Sequence, residues 1–147
     1  MIGILIIAHG NLGESLIHCA SHVLGKAPPQ LAYFAVGTDD DPTDLLPKAQ
    51  TILESLNTGE GVIVLSDMYG ATPCNLVTKL LSPSHVEGVA GVNLPMLVRV
   101  LNYRDKPMKI CVAKAVSGGR DGVVHFTKTG CDHHDRPAEK PLDRSAA

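Results

Sequence analysis

A chain of 147 residues, 44% of them hydrophobic, has the length of one ordinary domain and can bury a sizeable core. With only 3% aromatic residues and no Trp, that core is built from Val, Leu, Ile and Ala, the usual filling of a sheet covered on both faces. The formal net charge of −2, from 13 basic and 15 acidic residues, argues against a nucleic-acid binder or a membrane-surface protein.

The first predicted element is a strand. Ile2 to Ala8 is an almost unbroken apolar run, rich in β-branched Ile, that ends at His9-Gly10-Asn11. It lacks a basic flank and is too short for a signal segment or a bilayer span. Asn11 is placed to cap a helix, with Glu14 three residues on as in a capping box. Leu12, Leu16, Ile17, Ala20, Val23 and Leu24 follow at helical spacing, and Gly25 ends the helix. Leu31 to Val36 is a second, shorter strand, and Gly37 to Asp41 a polar, acidic loop. A second helix carries Leu45, Leu46, Ala49, Ile52, Leu53 and Leu56 on one face. Pro47 is tolerated best in a first turn, so Asp44 is the expected cap and the helix is expected to start late.

Val62 to Ser66 reads as a third buried strand, closed by Asp67. Gly70, Ala71, Thr72 and Pro73 then make a tight connection into a third helix, with Thr72 expected as N-cap and Pro73 as the first helical residue. Val86 to Val92 is a fourth strand. Asn93-Leu94-Pro95 opens a helix from Met96 to about Tyr103, and Pro107 opens another through Val116, broken by Gly118-Gly119. Val123 to Thr127 is a last short strand. The alternation predicts an α/β fold: a three-layer open sheet of four parallel strands with helices on both faces. The short C-terminal strand breaks the alternation, so it lies at an edge or pairs with another subunit. Cys131 to Ala147 is polar and unpatterned, a tail expected to be disordered, which leaves one domain over residues 1–130.

Two polar residues close predicted buried strands, His9 and Asp67. In open α/β sheets, sites form beyond the carboxyl ends of the strands, near the reversal of strand order. If the first and third strands are neighbours, an Asp carboxylate can hold one ring nitrogen of the imidazole and leave the other as an unprotonated nucleophile. Gly10 precedes one helix start, and Gly70, Ala71 and Thr72 precede another. Backbone N–H groups at both places, with the Thr72 hydroxyl, are suited to phosphate oxygens. No Walker motif or G-x-G-x-x-G is present, so a nucleotide is not indicated. Each residue also has a plainer role: His9 as a loop residue, Asp67 as a turn former, Thr72-Pro73 as a helix start.

Other polar groups weigh less. His18 and His22 stand one helical turn apart but lack a third ligand, and His85 and His125 look incidental. Asp39-Asp40-Asp41 reads as a solvated loop, because the spaced ligands of a calcium site are missing. Cys131-Asp132-His133-His134-Asp135 could chelate a metal, although a solvated tail explains it as well. Cys19, Cys74, Cys111 and Cys131 never stand as C-x-x-C, so they read as scattered buried thiols of a cytoplasmic protein.

In order along the chain, Ile7-Ala8-His9-Gly10, Ser66-Asp67-Met68-Tyr69-Gly70-Ala71-Thr72-Pro73-Cys74-Asn75 and Ala90-Gly91-Val92-Asn93-Leu94-Pro95-Met96-Leu97 form three separated motifs. Together with Gly118-Gly119-Arg120-Asp121-Gly122-Val123, they resemble the mannose-type enzyme IIA of the bacterial phosphoenolpyruvate-dependent sugar phosphotransferase system. The resemblance runs from residue 1 to about residue 128. It implies that His9 takes a phosphoryl group from the phosphocarrier protein HPr and delivers it to a histidine- or cysteine-bearing IIB component for carbohydrate uptake, with no metal or other cofactor. It further implies that Asp67 orients His9 for phosphorylation on Nε2, that Thr72 lies near the phosphate, and that Asn93, Leu94, Pro95 and Met96 border the site. Leu94, Met96 and Met68 could form an apolar rim that docks HPr, although core packing explains some of them equally well. Family members are homodimers that exchange a C-terminal strand, which here is the segment around Val123 to Thr127. The alternative is a regulatory module whose His9 phosphorylation state controls a partner protein without transport. A His-Asp hydrolase ranks below both, since no Ser or Cys nucleophile closes a strand beside His9.

Overall fold

The computed structural model describes residues 1–128. Its elements are β1 (Gly3–His9), α1 (Leu12–Leu24), β2 (Leu31–Val36), α2 (Pro42–Leu56), β3 (Val62–Ser66), α3 (Thr72–Leu80), β4 (Val86–Ala90), α4 (Leu94–Leu101) and α5 (Met108–Asp121). The four strands form one parallel sheet in the order β2-β1-β3-β4. The strand pattern repeats every two residues, and both faces are covered. Ile4, Ile6 and Ala8 of β1, with Ile63 and Leu65 of β3, pack on one face with Leu16, Leu97, Val100 and Ala115. Leu5, Ile7, Val62 and Val64 point the opposite way, onto Ala49, Leu53, Leu76 and Val77. A strand buried on both faces has no polar phase, which is why β1 reads as a continuous apolar run rather than an alternation. From β1 the chain moves outward to β2 and then crosses back to β3 on the other side of β1, so the strand order reverses between β1 and β3. The carboxyl ends of those two strands flank the crevice where such sheets bind ligands.

Two predicted helices have different bounds. The second helix begins at Pro42, not after Asp44: Asp41 is its N-cap and accepts from the Thr43 N–H at 2.9 Å. Pro47 therefore lies inside the helix and forfeits one bond to the Thr43 carbonyl, which is cheap because both residues are exposed to water. The last helix does not break at Gly118-Gly119 but runs through them to Asp121. Those glycines are there for space: a Cβ on Gly118 would stand 2.8 Å from the Arg99 Cβ, and one on Gly119 2.7 Å from the Met96 Cε. Val123 to Thr127 adds no strand to the sheet within the chain, whose edge on that side is β4.

The amino end of the sheet is held by a residue that the sequence reading passed over. Arg104 is 5% exposed, and its guanidinium donates to the carbonyls of Ile2 (3.0 Å), Pro29 and Gln30 (2.6 Å). Its own carbonyl accepts from the Ile2 N–H. Burial pushes the guanidinium below its ordinary value, with Asp105 opposing. Of the cysteines, Cys74 and Cys111 are buried as expected, whereas Cys19 is exposed on α1. Among the described residues no helix is long and apolar enough to cross a membrane. The Cys131–Asp135 motif and the rest of the predicted tail lie outside the described residues.

Candidate functional site

His9 is the last residue of β1, and Asp67 follows the last residue of β3. Because β1 and β3 are hydrogen-bonded neighbours, with Ile7 opposite Ser66, residues 58 apart in sequence meet at the crevice. Asp67 Oδ2 stands 2.7 Å from His9 Nδ1 and also accepts the His9 backbone N–H at 3.0 Å. Asp67 Oδ1 accepts the Met68 N–H at 2.9 Å. Burial pushes the Asp67 carboxyl up, but the hydrogen bonds from the His9 backbone and ring, the attraction of the imidazole, and the Met68 N–H outweigh it, and the group sits below the ordinary carboxylate value. An ionised carboxylate only accepts, so the shared proton belongs to Nδ1, and in the neutral imidazole the Nε2 lone pair is then left free. Nε2 has no partner among the described residues. The two side chains divide the work by exposure, 46% for His9 and 12% for Asp67: one meets solvent while the other is held beneath it.

Both helices that start beside this pair do so without a side-chain cap. Asn11 occupies the N-cap of α1, but with φ −98° and ψ 15° it is not extended and makes no capping bond, so the expected capping box does not form. In α3 the N-cap is Ala71 rather than Thr72, which moves Thr72 and Pro73 into the first turn. By contrast Asp41 and Asn93 cap α2 and α4 through their side chains. The N–H groups of Leu12, Gly13 and Glu14 in α1, and of Gly70, Thr72 and Cys74 at α3, donate to no described residue. Those of Gly10 and Ala71 are already committed, to the Val36 and Met68 carbonyls at 3.0 and 3.4 Å. Of the four residues expected at the phosphate, Gly70 and Thr72 therefore keep a free backbone donor, and the Thr72 hydroxyl also makes no bond to a described residue. Gly10 keeps a different part: its φ of +54° lets the chain turn from β1 into α1.

The residues expected at the border sit in different surroundings. Asn93 accepts the Met96 N–H at 2.9 Å and donates to the Gly119 carbonyl at 3.1 Å, so it ties α4 to α5. Met96 is buried in the core, and Leu94 is half-buried and packs against that core. Pro95 is exposed. Met68, at 63% exposure, is on the surface as expected, and it is joined by Tyr69 at 85% and by Leu12. The sequence reading listed Leu12 only among apolar residues at helical spacing and gave Tyr69 no separate role. The available signal was an aromatic residue in a connection with nothing to pack on. In the acidic loop Asp40 accepts the Gly37 N–H, and Asp41 caps α2. His18, His22, His85 and His125 are all exposed.

Residues 3–116 match the protein family described as the PTS system fructose IIA component. The chain is 34% identical over 149 aligned positions to the PTS system mannose-specific EIIAB component of Escherichia coli strain K12; the match takes in 99% of this chain and 44% of that protein's length. The fold is shared with the phosphotransferase system component EIIA of Streptococcus agalactiae, at a TM-score of 0.75 and 22% identity, covering 85% of this chain and 97% of the other. It is shared equally with the mannose/sorbose specific IIA subunit of Enterococcus faecalis, at a TM-score of 0.75 and 20% identity over 86% and 95% of the two chains.

Proposed function

This chain belongs to the fructose- and mannose-type IIA family of the phosphotransferase system, and from that membership we propose that it is a cytoplasmic phosphoryl carrier in which His9 Nε2 accepts a phosphoryl group from phosphorylated HPr and passes it to a IIB component for carbohydrate uptake. The observation that carries this reading is the 2.7 Å contact between Asp67 and Nδ1, with no described residue bonded to Nε2. In the accepting step the P–N bond of the HPr phosphohistidine breaks as a bond from phosphorus to Nε2 forms. A neutral imidazole needs no base for this, only in-line placement and donors for the equatorial oxygens. The free N–H groups at the starts of α1 and α3, and the Thr72 hydroxyl, fit that need. As the ring takes on positive charge, the Asp67 carboxylate at Nδ1 balances it. Met68, Tyr69 and Leu12 supply the apolar surface on which a protein donor docks.

We read the segment from Val123 to Thr127 as the exchanged strand of a homodimer. Val123, Val124 and Phe126 are all exposed in the isolated chain. A groove of about 300 Å³ lined by Val89, Ala90, Val116, Arg120 and Val123 lies at β4, the edge strand.

Incubation with phosphoenolpyruvate, enzyme I and HPr, followed by mass spectrometry, tests the carrier reading. Phosphate is expected on His9 and should be lost completely in His9→Ala. Absence of acid-labile phosphate on His9 would sink the proposal. Label that reaches His9 but moves to no IIB component would instead support the regulatory module.

A further inference from the structure

Five imidazoles are exposed among the described residues: His9, His18, His22, His85 and His125. Exposure alone therefore does not distinguish His9. What distinguishes it is that one ring nitrogen is bound by a carboxylate, and that two helix starts with free N–H groups follow the strands bearing the pair. Nothing in that arrangement requires the donor to be a protein. The His9 side chain is 46% exposed, and a molecule the size of phosphate needs no docking surface.

We propose that His9 also takes a phosphoryl group directly from small nitrogen–phosphorus donors, of which phosphoramidate is the simplest, with no carrier protein present. The inference rests on His9 being a phosphoryl acceptor and extends it to a second class of donor. The step balances without a further reactant. Phosphoramidate carries its nitrogen as an ammonium group, so the leaving group is already protonated. The Nε2 lone pair forms the new bond to phosphorus, the donor's P–N bond breaks, and neutral ammonia departs. The phosphoryl group keeps its charge, and the positive charge moves to the ring, whose Nδ1–H faces the ionised Asp67. The other four imidazoles have no carboxylate bound to a ring nitrogen among the described residues, so nothing there fixes the tautomer or balances the charge.

The test treats the intact protein with phosphoramidate and, in parallel, with phosphorylated HPr. Peptide mass spectrometry follows each histidine, and phosphorus NMR distinguishes Nε2 from Nδ1 adducts. Labelling at His9 Nε2 is expected to run at least about tenfold faster than at His18, His22, His85 or His125, the effect of roughly 1.4 kcal/mol in the barrier. Asp67→Asn is expected to bring His9 close to the surface histidines. Equal labelling of all five, an Nδ1 adduct on His9, or selectivity unchanged in Asp67→Asn would overturn the proposal. Transfer from phospho-HPr with no selective phosphoramidate labelling would overturn this inference and leave the carrier reading standing. Selective phosphoramidate labelling without transfer from phospho-HPr would support the inference and remove HPr as donor.

Discussion

The two ends of the sheet each hold one basic side chain by hydrogen bonds, and they use it oppositely. At the amino end the Arg104 guanidinium is buried and spreads its bonds over the carbonyls of Ile2, Pro29 and Gln30. At the carboxyl end the imidazole of His9 is bound at Nδ1 alone and nearly half exposed. A group whose bonds are all made inside the fold can only stabilise it. A group held on one side and left open on the other is oriented for chemistry, at some cost in unused bonding. The same contrast appears among the helix starts. Side chains cap α2 and α4, whereas α1 and α3, which open beside His9, have no such cap. Donors that water must satisfy in the resting protein are free to meet an anion.

The sharpest break in this comparison is Arg104→Met. Three carbonyls lose a charged donor, and unfolding in urea should show a loss of about 3 kcal/mol or more. Phosphorylation of His9 in the folded fraction should be unchanged; a variant that is stable but inactive would contradict the division between the two ends. Next comes Asp67→Asn. A side-chain amide presents its carbonyl either to the His9 donors or to the Met68 N–H, and its NH₂ then confronts the other. A hydrogen bond to a charged group is worth about 1.5–3 kcal/mol, so the acceptance rate should fall roughly 10- to 150-fold while the circular dichroism spectrum of the folded domain is retained.

Two glycines separate space from backbone shape. Gly118→Ala drives a Cβ onto Arg99 and should cost about 1–3 kcal/mol through overpacking, the better helix propensity of Ala being the smaller term. Gly10→Ala meets nothing within 4 Å but must hold φ +54°, and should cost about 1 kcal/mol in the same urea assay. A Gly10→Ala loss larger than that of Gly118→Ala would reverse the reasons given for the two.

The smallest effect is with pH. The folded Asp67 carboxyl lies below its ordinary value of 3.8, so the folded chain binds that proton more weakly than the unfolded one. Its contribution to stability is present above 3.8 and fades as pH falls through the lower folded value. Urea midpoints taken from about pH 5 down to about pH 2 should therefore fall more for the wild type than for Asp67→Asn. Parallel curves would show that the carboxylate adds nothing to the folded state.

The elements were legible because their signals are local. The apolar runs at Ile2–Ala8 and Val62–Ser66 and the helical spacing from Leu12 to Leu24 each lie within one window of sequence. Some differences arose where a distant contact overrode a local rule, and others within a single turn, as at Asp41. Gly118 and Gly119 are helix breakers by propensity, yet they lie inside α5 because α4 presses on that face. Thr72 is the better capping residue, yet Ala71 occupies the cap. Met96, expected at the site border by resemblance, is turned by its helix into the core.

His9 and Asp67 could be named as candidates from the chain alone, since each is a polar residue that closes an apolar strand. Their partnership could be stated only as a condition, because it depends on β3 lying beside β1, a choice of strand order made across 57 residues of intervening chain. Local propensity and periodicity determine which segments become strands and helices. Strand order, the bond to Nδ1, the open Nε2 and the carbonyls gathered by Arg104 are settled only when those segments pack, because each rests on groups far apart in the sequence.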